Sequence, residues 1–311
     1  MVQRLSKVRD LLGRAVQYVS GAVRNRLART PVTGDANVVV SLTSFGPRLK
    51  TVHHTIESIA GGSARPRRLL LALDSAADVS TARELRTLRR LRRRGLEIIE
   101  APPMGPHAKY FPYVMSIGAH KVPLVTADDD IIYPREWLSE LTAAHRKNPN
   151  VIHCFRAHEF GILDGRPDLY ARWGAATTTR PRYRTFLTGV SGVIYPPAFL
   201  DHLRMAGDHF QIVSPRADDV WLHAQAVQAE VRVAQIIDRP QQFPVLLGTQ
   251  RFALWRHNTR ESGDSHATLG RRTPNDDQIE NTYSQLLIAR IVEDEANCDD
   301  RGRTGSRPLE E

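Results

Sequence analysis

The chain has 311 residues, 41% of them hydrophobic, enough for one large α/β domain with an appendage. No apolar run approaches the ~18 residues of a membrane-spanning helix, and the N-terminus lacks the apolar core and small-residue cleavage site of a secretory signal. Two cysteines without metal-ligand spacing, Cys154 and Cys298, speak against a disulfide framework and for a reducing, cytoplasmic compartment.

The formal charge of +9 is concentrated in two places. Residues 1–34 carry seven cations against the single acid Asp10. Within them Leu5, Val8, Leu12, Val16, Val19, Val23 and Leu27 recur at three- and four-residue steps, predicting a basic amphipathic helical arm. Such an arm either lies on the anionic inner face of a membrane or packs on its own domain or a partner. Pro31 to Asp35 ends it. The second run, Arg83 to Arg94, sets seven arginines around Leu85, Leu88 and Leu91 and predicts one amphipathic helix with a basic outer face. No aromatic residues interleave with these arginines to stack bases, so a nucleic-acid partner is not expected.

Strand-like and helix-like segments alternate from residue 37. Strands are predicted at 37–43, 68–74, 96–100 and 122–127, with helices at about 49–60, across the arginine run, and at 109–119. This rhythm implies an α/β domain over 35–295, a mostly parallel Rossmann-like sheet flanked by helices, whose ligands bind beyond the strand C-terminal ends. A helix over 137–147 and a strand over 151–155 come next, followed by a loop-rich stretch over 160–186. A glycine-bearing strand segment spans 189–197, and a helix is predicted over 218–230. Residues 296–311 are polar and aperiodic and are expected to be disordered.

The fourth strand runs directly into Asp128-Asp129-Asp130. Three adjacent carboxylates repel unless a cation or solvent relieves them, and alternation along the chain lets Asp128 and Asp130 converge while Asp129 points away. Such oxygen donors suit Mg²⁺ or Mn²⁺ gripping a diphosphate; the bland alternative is a solvated acidic turn. A second pair, Asp218-Asp219, opens the 218–230 helix, where carboxylates also complement the helix dipole. Gly189 and Gly192 would let backbone approach a ligand closely. Trp173, Trp221 and Tyr170 could stack on a ligand or fill the core.

The segment Leu124-Val-Thr-Ala-Asp-Asp-Asp-Ile-Ile-Tyr133 resembles the D-x-D segment of GT-A glycosyltransferases. Ser41-Leu-Thr-Ser-Phe45, Asp74 and Lys109 match the neighbouring features of that fold. Over roughly residues 37–285 the chain looks like a bacterial group related to family 2 that acts in capsule and surface-polysaccharide synthesis. The resemblance implies transfer of a sugar from a nucleotide-sugar, a UDP-sugar in the first instance, to a glycan or lipid-linked acceptor. It assigns Thr43, Ser44 and Asp74 to the base and ribose, and Asp128 to the ribose and metal edge. Asp130 becomes the metal ligand, and Lys109 or Arg48 balances the phosphates. Inverting members carry a catalytic base where Asp219 stands, with Asp218 beside it, and an acceptor-facing loop near Gly189 and Gly192. A late histidine, here His257, or the carboxylates of Asn275-Asp-Asp-Gln278, would complete the metal site. The Gln-x-x-Arg-Trp motif of processive polymerases is missing.

Two other readings compete. A different metal-dependent phosphoryl or nucleotidyl enzyme would need a glycine-rich phosphate loop after the first strand, which Ser41 to Gly46 lacks. A non-catalytic basic membrane-binding module would leave both acidic clusters without a purpose.

Overall fold

The structure, a computed structural model, describes residues 18–246 and 272–304, with side chains as far as residue 297. In chain order its regular elements begin with helix α1 (18–27), strand β1 (Ala36–Thr43), α2 (Val52–Ala60), β2 (Pro66–Leu73), α3 (Ala76–Glu84), α4 (Arg86–Arg93) and β3 (Leu96–Glu100). The middle holds α5 (Phe111–Met115), β4 (Leu124–Ala127), α6 (Trp137–Lys147), β5 (Ile152–Cys154), β6 (Ala157–Glu159), β7 (Ile162–Leu163), β8 (Arg166–Pro167) and β9 (Thr185–Leu187). Then come β10 (Val193–Tyr195), α7 (Pro197–Ala206), α8 (Phe210–Val213), α9 (Asp218–Gln228) and β11 (Val233–Gln235), and two helices, Pro274–Thr282 and Gln285–Thr304, close the described chain.

Seven strands form one sheet in the order β11-β5-β10-β4-β1-β2-β3. All neighbours are parallel except β10, which runs antiparallel to both β4 and β5. The expected α/β architecture is the observed one. Alternation along the central strands builds two cores. Val38, Val40 and Leu42 face one side with Ile56 of α2 and Leu88 and Leu91 of α4. Val39 faces the other with Tyr110, Val114 and Leu222. Continuous apolar strands buried on both faces are what a parallel sheet between helical layers requires.

Three expectations need correction. The arginine run is not one helix: the chain breaks at Leu85, whose backbone is extended (φ −59°, ψ 120°). Leucines every third residue slip around a helix by ~60° per step, so a continuous helix would carry Leu85 off the stripe of Leu88 and Leu91. The break returns it to the core. The helix expected over 109–119 is instead a 3-10 turn, Gly105–Lys109, followed by the short α5. Pro112 has no N–H to continue a helix entered from Lys109. The tail expected to be disordered from 296 is helical backbone as far as Thr304, an extension of the Gln285–Thr304 helix that Leu287, Ile288 and Ile291 seat on the core.

Candidate active site

Parallel register brings the strand ends together. Leu42 pairs with Ala127 and Thr43 with Ala72, so Thr43, Asp74 and Asp128 emerge side by side at the C-terminal edge of the sheet. The acidic turn is held from several directions. Tyr133 accepts the Asp128 N–H at 2.8 Å, Thr55 donates its hydroxyl to the Asp129 carbonyl at 2.9 Å, and Leu246 N–H donates to the Asp130 carbonyl at 2.7 Å.

The three carboxylates divide between two cations. Asp129 is buried, accepts the Ser44 hydroxyl at 2.6 Å and lies 2.8 Å from the Arg48 guanidinium. Asp130 contacts the same guanidinium nitrogen. Asp128 instead receives Lys109 Nζ at 3.1 Å, and the same ammonium reaches Asp218 Oδ2 at 3.2 Å. The expectation that Asp129 points away while Asp128 and Asp130 converge is therefore corrected: Asp129 turns inward with Asp130 onto Arg48, and Asp128 joins Lys109. The physical reason is charge. Three carboxylates at a buried strand end need internal counter-ions, and the loop after β1 and the turn before α5 supply one each.

Electrostatics separates the acids further. Burial pushes Asp129 up to about 7, with Arg48 opposing it and Asp130 and Asp128 adding to it. Burial would lower the Lys109 ammonium, but Asp218 and Asp128 outweigh it and hold it above its usual range. Asp219, one residue beyond Lys109's partner, is pushed up to about 7 by burial and by Asp218, against Lys109. As a whole residue it is half-buried. Its charge is felt by the Tyr170 and Tyr283 hydroxyls, both of which burial raises and Asp219 raises further. Gly189 covers the Lys109–Asp218 pair: a Cβ there would lie 3.3 Å from Nζ and 3.9 Å from Oδ2.

Several expected site residues have other duties. Ser44 is buried and donates its hydroxyl to Asp129. Thr43 donates its hydroxyl to the Ala72 carbonyl at 2.8 Å. Asp74 accepts the N–H groups of Met104 and Gly105 at 3.2 and 2.8 Å, tying the end of β2 to the loop before Lys109 while staying half-buried at the edge. Trp221 and Trp173 are 4% and 7% exposed, packed on Phe210 and on Phe160 and Phe186 respectively, and offer no free ring face to a sugar. Gly192 is required by packing: its φ is +99°, and a Cβ would lie 2.7 Å from the Trp137 ring. Gly192→Ala should cost about 1–3 kcal/mol, read as a lower urea midpoint at unchanged m-value. Asp276 closes a capping box with Thr273 and holds Tyr170 N–H at 2.7 Å, and Asp277 pairs with Arg272, so neither is placed as a metal ligand. His257 lies outside the described residues.

Sequence reasoning assigned Arg48 to the phosphates and overlooked it as the counter-ion of Asp129 and Asp130. The available signal was the cation count: a buried acidic triplet demands cations from neighbouring strand-end loops, and the loop after β1 holds only Arg48 and Lys50. Among the described residues no three His, Cys, Asp or Glu side chains gather at one point.

No family model and no curated protein matches the chain. Many solved structures are similar in chain path, these three among them. One is S. aureus TarS, residues 1–349, with a TM-score of 0.47 and 14% identity over 70% of this chain and 62% of that one. Another is GalNAc-T7 with UDP, GalNAc and Mn²⁺, at 0.45 and 12% over 76% and 46%. The third is the mannosyltransferase PcManGT from Pyrobaculum calidifontis with GDP-Man and Mn²⁺, at 0.45 and 13% over 98% and 87%. The chain thus spans less than two thirds of the first two.

Proposed function

We propose that this chain is a GT-A-type glycosyltransferase that moves a sugar from a nucleotide-sugar, in the first instance a UDP-sugar, to a hydroxyl of a glycan or lipid-linked acceptor. The observation that carries the reading is the Asp128–Lys109–Asp218 bridge. It joins a strand-end carboxylate and the first acid of a helix-opening pair to one buried cation, which supports donor and acceptor chemistry at a shared site.

The roles follow from the side chains. Asp74 and the Thr43 edge face the nucleoside. Asp128 and Asp130 offer the hard carboxylate oxygens that Mg²⁺ or Mn²⁺ prefers, and would hold such an ion once Lys109 releases Asp128 and Arg48 releases Asp130. Bound there, the ion would supply charge neutralisation for the leaving diphosphate. Asp219 takes the proton of the acceptor hydroxyl as its oxygen bonds to the anomeric carbon. The anomeric C–O bond to the diphosphate breaks, the electron pair leaves with the nucleoside diphosphate, and attack from the opposite face inverts the anomeric centre. A carboxylate whose proton affinity sits near neutrality is well matched to this task. Lys109 pairs with Asp218 beside it and orients the pair.

Calorimetry with UDP tests the donor half. UDP should bind in the presence of Mn²⁺ and lose at least about tenfold in affinity in Asp130→Ala. Absence of nucleotide binding with either metal, by UDP or by GDP, would remove the basis for the reading.

A further inference from the structure

Helix α1 is docked with its polarity reversed. Its inward face is small and polar. Gly21 lies against His54, where a Cβ would come 2.9 Å from the ring nitrogen, and Asn25, 2% exposed, donates to Glu57 Oε1 at 3.1 Å and to the Thr87 carbonyl at 3.2 Å. Tyr18 stacks on His54 at 3.8 Å, and Arg24 reaches the Glu57 carbonyl at 3.2 Å. Glu57 itself is buried and ion-paired with Arg94, whose Nε donates to the Thr30 carbonyl at 2.7 Å just after the helix. These bonds fix which way the helix faces.

They turn the apolar residues outward. Val19, Val23 and Leu27 recur every fourth residue along α1, so they form one stripe, and they are 59%, 48% and 70% exposed. A helix that packs on its own core for stability does the opposite. Exposed cations accompany the stripe: Arg26 and Arg29 are exposed, and α4, whose Thr87 carbonyl holds Asn25, presents Arg86, Arg89 and Arg93 to solvent. Upstream the sequence continues the same spacing with Leu5, Val8, Leu12 and Val16, accompanied by Arg4, Lys7, Arg9 and Arg14.

We propose that this face of α1 is the surface by which the protein lies on an anionic lipid bilayer. Val19, Val23 and Leu27 enter the headgroup–acyl boundary, and the arginines of α1 and α4 pair with lipid phosphates. A straight apolar stripe accompanied by cations matches the plane of a bilayer interface, into which arginines snorkel. Charge complementarity selects this occupant over a second copy: a chain of net charge +9, with its cations gathered here, repels itself. Packing on the domain occupies one face of the helix, and the opposite face is the one assigned to lipid. Among the described residues no helix is long and apolar enough to cross a membrane. The proposal is independent of the reaction assigned above.

Co-sedimentation of the full chain with vesicles tests it. Binding is expected to phosphatidylglycerol-containing vesicles, much weaker to pure phosphatidylcholine, and reduced at least about tenfold in the Val19→Asp/Val23→Asp/Leu27→Asp variant. Those positions are exposed, so the variant's melting temperature should match the wild type. A second variant, Arg26→Glu/Arg29→Glu, should lose the preference for anionic lipid. Wild type that fails to sediment with anionic vesicles, or a triple variant that sediments as well as wild type, overturns the proposal. So does equal binding to neutral vesicles. Sedimentation velocity showing a dimer that the triple variant abolishes, with no vesicle binding, would make the face a protein interface instead. Each result is read without donor or acceptor.

Discussion

Asp219→Asn is expected to lower the transfer rate by about 10²–10⁴-fold while leaving UDP affinity unchanged. The amide cannot take the acceptor proton, and the ion-pair partners of Lys109 are Asp128 and Asp218 rather than Asp219. A structural role would produce a different signature. An ordinary aspartate titrates near ~3.9 when unfolded, whereas burial and Asp218 raise Asp219 to about 7 in the fold. The folded state therefore holds this proton more tightly, and stability falls as pH rises from the unfolded value through about 7. Asn carries no such penalty, so Asp219→Asn should melt no lower than wild type at pH values above 7 while losing transfer. Wild-type activity should run the other way, rising with pH through the same region as the carboxylate becomes available. A variant that loses stability and nucleotide affinity together would make Asp219 a structural residue and return the base assignment to Asp218.

The second large effect is at Lys109. Lys109→Met should destabilise the protein by about 3–5 kcal/mol, because Asp128 and Asp218 would be left as uncompensated carboxylates at a buried site. The loss is readable as a lower urea midpoint. Adding Asp218→Asn to Lys109→Met should recover part of it, since one orphaned charge goes with the cation, and strict additivity in this double-mutant cycle would show the pair to be uncoupled. Any residual activity carries a second readout. Lys109 holds the proton affinity of Asp219 down, so its removal should move the acid limb of the pH–rate profile to higher pH. An unmoved limb would mean that Lys109 does not act on the base.

Much of this geometry was legible in the order of residues. The apolar runs Val38–Val40 and Leu69–Leu71 read as buried parallel strands, and β3 and α6 appear at the residues their periodicity implies. The acids stand at strand ends because each apolar run stops where they begin, and a sheet of parallel strands gathers those ends along one edge. Local spacing also placed Asp218 at the start of α9.

What the order of residues could not settle was which acid meets which cation. Ser44 and Asp129 are 85 positions apart, and Lys109 joins one acid 19 positions away to another on a separate helix. Such pairings depend on register and on how deeply each turn is buried, neither of which leaves a periodic trace. The same limit explains Trp221 and Gly192, whose types suit a sugar site but whose surroundings are core. It explains α1 as well: its apolar spacing was plain, but only the contacts of Gly21 and Asn25 decide that the stripe faces outward. Periodicity reports that a face exists, and tertiary packing decides what the face meets.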